Sequence, residues 1–229
     1  MAPVGEPVTI PSGEEALGGY LAIGEGIERT PGIVIIHEIS GLDEHTREVA
    51  ERFAASGYTG LAVDLFSLGT KPGCLMRIFY GILFKPLDNG TVAHLRAALD
   101  FLASQPKVDA SRLGVIGFCM GGSYALQLAC VEGRLRAASV FYGQNPRPLE
   151  AVARACPIVG SYPERDFTAP QARKLDAALE KHRVAHDIKI YSGARHSFFN
   201  SGRRAHDPAA AQDSWRRTLA FFDVHLGHR

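Results

Sequence analysis

Short runs of apolar and β-branched residues alternate with amphipathic helical stretches along almost the whole chain. This alternation is typical of a mostly parallel sheet whose strands are joined by crossover helices. The length of 229 residues fits one such domain, with a core large enough to carry a cleft. The sequence therefore predicts a single α/β domain over residues 1–229, with a central sheet of about eight strands and helices on both faces.

The individual elements can be placed from their periodicity. The predicted strands are Val8–Ile10, Gly19–Ile23, Ile33–His37, Tyr58–Asp64, Arg112–Phe118, Ala137–Tyr142, Pro157–Tyr162 and Asp187–Tyr191. The predicted helices are Glu44–Ser56, Thr91–Ser104, Gly121–Val131, Ala169–His182 and Pro208–His225. The first two strands, separated by a stretch containing Gly and Pro, are expected to form an antiparallel pair.

The segment 65–87 follows neither the strand period nor the helix period, so it is expected to leave the sheet. Its middle part, residues 74–84, is more apolar than a loop needs to be. Two interpretations stay open at this point. The segment is either a buried helix or strand edge, or an apolar wall or lid over the functional site that favours a larger, less charged substrate.

The charge balance excludes some classes of partner. There are 25 Lys and Arg residues against 24 Asp and Glu residues. This leaves no net field to attract nucleic acid or an anionic membrane, so the expected partner is a small molecule. We expect a monomer or a small homo-oligomer.

The cysteine spacing argues against a metal site. The four cysteines, at positions 74, 119, 130 and 156, form no CxxC pair. His37-Glu38 does not begin a zinc-protease HExxH motif, because Gly41 occupies the position of the second histidine. The opening residues MAPVGEPV lack the basic and apolar regions of a signal peptide, which predicts a cytoplasmic protein with free thiols.

The strongest local motif is Gly117-Phe118-Cys119-Met120-Gly121-Gly122, between a predicted strand and a predicted helix. It matches the G-x-S-x-G nucleophile elbow of the α/β-hydrolase fold, with cysteine in place of serine. The glycines permit a sharp, strained turn, and the helix amino terminus favours a thiolate at Cys119. A tightly packed turn around a buried, inert cysteine is the alternative.

Two later residues complete a possible triad. Asp166 and His196 each follow a predicted strand, and the order nucleophile, acid, histidine is the order of this fold. Taken singly, Asp166 would be an ordinary helix N-cap and His196 an ordinary loop residue. Together with Cys119 they predict a Cys-His-Asp triad at the carboxyl ends of the strands.

The whole chain resembles the dienelactone hydrolases, also called carboxymethylenebutenolidases. The resemblance is carried by His37-Glu38-Ile39-Ser40-Gly41-Leu42, by the cysteine elbow, by Asp166, and by Gly193-Ala194-Arg195-His196-Ser197-Phe198. It implies the α/β-hydrolase fold, the Cys-His-Asp triad, no cofactor and hydrolysis of an activated cyclic ester.

The resemblance also implies roles for the residues around the triad. Glu38 would contact the resting thiol and help to form the thiolate, while the N–H groups of Ile39 and Met120 would form the oxyanion hole. A carboxylate at the end of an apolar strand is also costly to bury unless it is paired, which independently suggests a role for Glu38.

One position departs from the family pattern. Four residues after the histidine the family has an arginine that holds a substrate carboxylate, and here that residue is Asn200. Arg77, Arg203 and Arg204 are possible substitutes. The candidate substrate-binding residues are Tyr142, Arg77, Asn200 and Phe198.

The expected reaction is acyl transfer through a thioester at Cys119. Because thiolate is a better leaving group than an alkoxide, the cysteine favours an activated substrate such as an enol ester or lactone. The alternatives are a broad carboxylesterase or thioesterase for neutral acyl substrates, a redox-active cysteine protein without an obvious resolving cysteine, and a non-catalytic binding protein.

Overall fold

The computed structural model describes residues 4–24 and 29–227. The ends of the predicted domain 1–229, including the first residues of the opening segment, lie outside the described residues. The strands are β1 Glu6–Ser12, β2 Glu15–Ala22, β3 Thr30–Ile36, β4 Thr59–Asp64, β5 Val108–Phe118, β6 Leu135–Phe141, β7 Ile158–Arg165 and β8 His186–Arg195. The helices are α1 Glu44–Ala55, α2 Lys71–Phe84, α3 Gly90–Ala103, α4 Met120–Val131, α5 Ala169–Lys181 and α6 Pro208–Leu226, with a short 3-10 helix at Leu149–Arg154.

The eight strands form one sheet in the order β1-β2-β4-β3-β5-β6-β7-β8. β2 pairs antiparallel with both β1 and β4. All the other neighbouring strands are parallel. This arrangement confirms the predicted mostly parallel sheet and its antiparallel amino-terminal pair.

The sheet separates two apolar layers. On one face, α1 and α6 pack through aromatic side chains, with the ring of Phe53 4.7 Å from that of Trp215 and 6.0 Å from that of Phe222. On the other face, α2, α3, α4 and α5 cover a larger, mainly aliphatic layer. Because β3 and the second half of β5, Leu113–Phe118, lie between these layers, their side chains are buried on both faces, which explains their continuous apolar sequence.

The segment 65–87, which follows neither period, contains the helix α2. Its inward face is apolar, with Cys74, Ile78 and Ile82 buried. Its outward face is also apolar, and this removes the alternation of polar and apolar residues that identifies a surface helix. The interpretation as a helix is confirmed, and the interpretation as a strand edge is wrong.

Candidate active site

Five neighbouring parallel strands deliver a reactive or polar side chain at their carboxyl ends. Cys119, Tyr142, Asp166 and His196 directly follow β5, β6, β7 and β8, and Glu38 lies two residues beyond β3. Since these strands are adjacent and parallel, their carboxyl ends meet at one edge of the sheet, where open α/β sheets bind ligands. The topology therefore gathers five residues that are far apart in the sequence.

Cys119 occupies a strained turn between β5 and α4. Its φ of +57° and ψ of −118° lie in a region that residues other than glycine rarely adopt. The surroundings enforce this turn, because a Cβ on Gly117 would overlap the carbonyl group of Gly121, and a Cβ on Gly121 would overlap that of Ile36. The Cys119 N–H donates to the carbonyl oxygen of Phe141 at 3.0 Å, which ties the turn to β6.

His196 connects the thiol to a buried carboxylate. Its Nδ1 lies 2.7 Å from Oδ2 of Asp166, which also accepts the Thr168 hydroxyl at 2.6 Å. Burial alone would lower the pKa of His196, but its hydrogen bonds to Asp166 and to the Cys119 thiol raise this pKa to about 10. Burial would raise the pKa of Asp166, yet the hydrogen bonds from His196 and Thr168 hold it below its ordinary value. The site thus favours an imidazolium.

Glu38 belongs to a second buried polar group beside the triad. The Tyr142 hydroxyl donates to Oε1 of Glu38 at 2.8 Å, and Nε of Arg203 lies 3.9 Å from Oε2. Burial, together with the charge of Glu38 and the hydrogen bond to it, raises the pKa of Tyr142 well above its ordinary value. The contact between Glu38 and the resting thiol, which the resemblance implied, stays a prediction, since the contacts seen for Glu38 are those with Tyr142 and Arg203.

His37 holds the turn that presents Glu38. Its Nε2 accepts the N–H of Leu65 at 3.1 Å, so Nδ1 carries the proton and donates to the carbonyl oxygen of Glu38 at 2.6 Å. Burial lowers the pKa of His37, which keeps the ring neutral as this arrangement requires. From the sequence, His37 ends a strand, belongs to the family motif and is excluded from a zinc-protease motif, and its positioning role emerges from the structure.

A cavity of about 150 Å³ lies over the thiol. Among the described residues, its lining carries the sulfur, the imidazole and several apolar side chains, but no Lys or Arg: Phe79, Ile82, Cys119, Met120, Ser123, Tyr142, Gln144, Phe167 and His196. The imidazole of His196 is sandwiched between Tyr142, at 4.8 Å between ring centroids, and Phe167, at 5.6 Å with nearly parallel planes. The lining includes Tyr142, a candidate substrate-binding residue, and Met120, a candidate oxyanion-hole residue.

Other candidate residues lie outside this lining. Arg77 lies on the far side of α2, where its charge adds to burial in lowering the pKa of His94. Phe198 is fully buried and packs behind the site, with its ring 5.6 Å from that of Tyr142. Ile39 is partly exposed beside Glu38.

Asn200 lines a neighbouring, larger cavity of about 330 Å³ that does not include Cys119. This second cavity is polar and is lined by Ser40, Asp43, Glu44, His45, Glu48, Asn200, Ser201, Gly202 and Arg203. Oδ1 of Asn200 accepts the N–H of Gly202 at 2.9 Å, so the side chain stabilises its own loop. Of the three arginines considered, at positions 77, 203 and 204, Arg203 contacts the polar group at the active site.

Sequence reasoning missed five residues of the catalytic cavity. Phe79 and Ile82 come from α2, Ser123 comes from α4, and Phe167 and Gln144 come from loops after β7 and β6. The position of Phe167 directly after Asp166 was the one available signal, since a residue next to the acid lies near the histidine. The two α2 residues lie in the segment 74–84, for which a wall or lid over the functional site was one interpretation, but nothing in the sequence singled out Phe79 and Ile82 within it.

A family model, described as the dienelactone hydrolase family, matches residues 17–226. The chain belongs to this family. It has the α/β-hydrolase fold and is a hydrolase of the ester- and lactone-cleaving type. The cysteine elbow and the HE-I-x-G-L segment therefore carried the resemblance correctly.

Similar proteins support this assignment along the whole chain. A Bradyrhizobium protein named "Probable 2-oxo-3-(5-oxofuran-2-ylidene)propanoate lactonase" is 30% identical, covering 94% of this chain and 92% of that protein. A Saccharolobus solfataricus protein named "Putative carboxymethylenebutenolidase" is 32% identical, covering 82% of this chain and 87% of that protein. The crystal structure of a dienelactone hydrolase-like promiscuous phosphotriesterase from metagenomic libraries matches with a TM-score of 0.83 and 25% identity, covering 98% of this chain and 99% of that one.

Within residues 4–24 and 29–227, no helix combines the length and apolar character needed to cross a membrane.

Proposed function

We propose that the protein hydrolyses an ester or lactone with Cys119 as nucleophile, His196 as general base and acid, and Asp166 as the residue that orients His196. The observation that carries the proposal is that Cys119 and His196 line one cavity, with Nδ1 of His196 2.7 Å from Oδ2 of Asp166. The interaction of His196 with Cys119 also contributes to raising the pKa of the imidazole. A nucleophile, a base within reach of it and a third group that orients the base form the arrangement used in covalent acyl transfer.

Acylation begins with transfer of the Cys119 proton to His196, and the raised pKa of His196 favours this step. The thiolate attacks the substrate carbonyl carbon, whose C=O electron pair moves onto oxygen. When the tetrahedral intermediate collapses, the carbon–oxygen bond to the leaving group breaks and His196 returns its proton to that oxygen. The product of this half-reaction is a thioester on Cys119.

The developing oxyanion needs donors close to Cys119. Met120 opens α4, so its N–H has no partner within the helix and lines the cavity beside the sulfur. We assign the second donor to the N–H of Ile39, next to Glu38. Each donor contributes about 10²–10³ in rate in enzymes of this type.

Deacylation uses the same groups in reverse order. His196 removes a proton from water, the resulting hydroxide attacks the thioester, and the thiolate leaves as the carboxylic acid product departs. Because a thiolate leaves more readily than an alkyl alkoxide, the first half-reaction is productive only with a good leaving group. This favours an enol lactone, an enol ester or an aryl ester as the substrate.

A second candidate, a carboxylesterase for neutral acyl substrates, is favoured by the composition of the cavity. The residues that line it include no Lys or Arg to bind a substrate carboxylate. Both candidates share the triad and the thioester, and they differ only in substrate.

The thioester can be tested by intact-protein mass spectrometry of the enzyme quenched in acid during turnover of an aryl ester. We expect a mass increase equal to the acyl group, localised to Cys119 after proteolysis and removed by hydroxylamine. Cys119→Ala should show neither adduct nor turnover, while Cys156→Ala, the matched control, should show both. An adduct on another residue, or turnover by Cys119→Ala, would contradict the proposal.

A further inference from the structure

Large exposed apolar side chains are concentrated around the catalytic cavity. On α2, Met76 is 74%, Tyr80 52% and Phe84 69% exposed, and Phe79 and Leu83 are exposed as well. Across the cavity, Phe167 is 64% exposed. We call these six residues the apolar rim. Exposed apolar patches of this kind mark interaction surfaces in soluble proteins.

The helical geometry of α2 makes its part of the rim continuous. Met76, Tyr80 and Leu83 follow one another at helical spacings of four and three residues, and the rings of Tyr80 and Phe84 lie 5.2 Å apart. The opposite face carries Cys74, Ile78 and Ile82 into the core. When a surface helix is apolar on both faces, its outer face stays exposed to water unless another apolar surface covers it.

The charge pattern limits what can cover this face. No Asp or Glu occurs between Asp64 and Asp88, although the chain as a whole is nearly neutral. The ammonium group of Lys71, at the start of α2, is bound to the carbonyl oxygen of Ser40. The outer face of the helix therefore offers no acidic group for the ion pairs that fix the orientation of a protein partner.

The rim is continuous with the catalytic cavity. Phe79 and Phe167 belong both to the exposed rim and to the lining around Cys119 and His196. A second copy of this chain, or another folded protein, seated on the rim would close the entrance to the thiol. An apolar surface that itself contains the substrate would instead bring the scissile ester to that entrance.

We propose that the apolar rim docks the enzyme on aggregated apolar esters, such as micelles or droplets, and that the aggregate supplies substrate to Cys119. The proposal rests on the proposed hydrolysis at this site and names the physical form of the substrate.

The test measures initial rates against concentration for para-nitrophenyl butyrate, which stays dissolved, and for para-nitrophenyl laurate, taken through its solubility limit. The wild type should show a steep rise, roughly tenfold or more, when laurate begins to aggregate. The double variant Tyr80→Ser/Phe84→Ser should lose this rise, because two apolar side chains no longer leave water at the aggregate. Its rate on dissolved butyrate should match the wild type, since neither residue lines the catalytic cavity.

The control is Val224→Ser, which removes an equally exposed apolar side chain from α6 and should keep the rise. A wild-type laurate curve without a break at the solubility limit would overturn the proposal, as would a double variant that keeps the break. Sedimentation showing a wild-type dimer that the double variant cannot form would assign the rim to self-association instead. Inactivity of the wild type on dissolved butyrate and on enol lactones would contradict the proposed hydrolysis at Cys119. This result can be distinguished from the loss of the break in the laurate curve.

Discussion

The two sides of the catalytic cavity are built in different ways. The base consists of strand ends, where Cys119, Tyr142, Asp166 and His196 directly follow four parallel strands. The mouth consists of Phe79 and Ile82 on a connecting helix and Phe167 on a loop. In the base, backbone hydrogen bonds of the sheet determine where each side chain begins. In the mouth, the positions of Phe79 and Ile82 depend on how one helix packs over the sheet, and the position of Phe167 depends on a loop.

Because of this difference, we expect the base of the cavity to determine catalysis and the mouth to determine the choice of substrate. The base of the cavity holds charged and polar groups that are buried and mutually hydrogen-bonded, so removing one of them leaves its hydrogen-bond partners unsatisfied. The mouth is apolar and partly exposed, so a substitution there changes contact area without stranding a polar group. We therefore expect changes in the base to affect catalysis strongly, and changes in the mouth to alter the choice of substrate.

Asp166→Asn is expected to have the largest effect, a decrease of about 10²–10⁴ in kcat. Asp166 raises the pKa of His196, so the imidazolium that pairs with the thiolate persists until the pH rises through about 10. Removing the carboxylate lowers that pKa, and the alkaline limb of the profile of kcat/KM against pH should move to lower pH. A profile that stays in place while kcat falls would mean that Asp166 acts only in orientation.

A smaller effect is expected when the substrate carries a charge. Without a cation in the cavity lining, a carboxylated enol lactone should give a lower kcat/KM than its neutral ester analogue. A charge-assisted clamp is worth about 1.5–3 kcal/mol, so its absence corresponds to roughly 10–150-fold. A clear preference for the carboxylated substrate that disappears in Arg203→Ala, but survives in the control Arg77→Ala, would show that Arg203 provides the clamp from outside the lining.

The smallest effect is expected for Glu38→Gln, about tenfold in acylation rate. If Glu38 helps to ionise the thiol, this variant should also shift the profile of thiol labelling against pH to higher pH. Tyr142→Phe is the matched control, because it removes the hydroxyl that holds Glu38 while keeping the carboxylate. Unchanged rates and profiles in Glu38→Gln would reduce Glu38 to a structural residue.

The base of the site could be predicted from the sequence because its residues are tied to strands. An apolar run followed by Cys119, Asp166 or His196 gives both the element and the place of the side chain. The sheet itself followed from the same runs, with boundaries shifted by a few residues, as where β5 begins at Val108 instead of Arg112. Short-range periodicity was sufficient for these features.

The mouth could not be predicted in this way. The two apolar faces of α2 cancel the periodicity that reveals a surface helix, so the sequence left a helix and a strand edge both open and did not give the direction of Phe79. The side of α2 on which Arg77 lies depends on packing against α3 and α4. The pairing of Glu38 with Tyr142 joins residues 104 apart in the sequence, a contact that no local pattern records.

The central claim, that Cys119 is the nucleophile, is tested most directly by the rate of iodoacetamide labelling at each cysteine. Burial raises the pKa of both Cys130 and Cys156 to about 12, so their thiols stay protonated near neutral pH, and Cys74 is buried. Cys119, partly exposed and paired with His196, should be labelled fastest, and activity should fall in proportion to its modification. Faster labelling of another cysteine, or full activity after Cys119 is modified, would contradict the account.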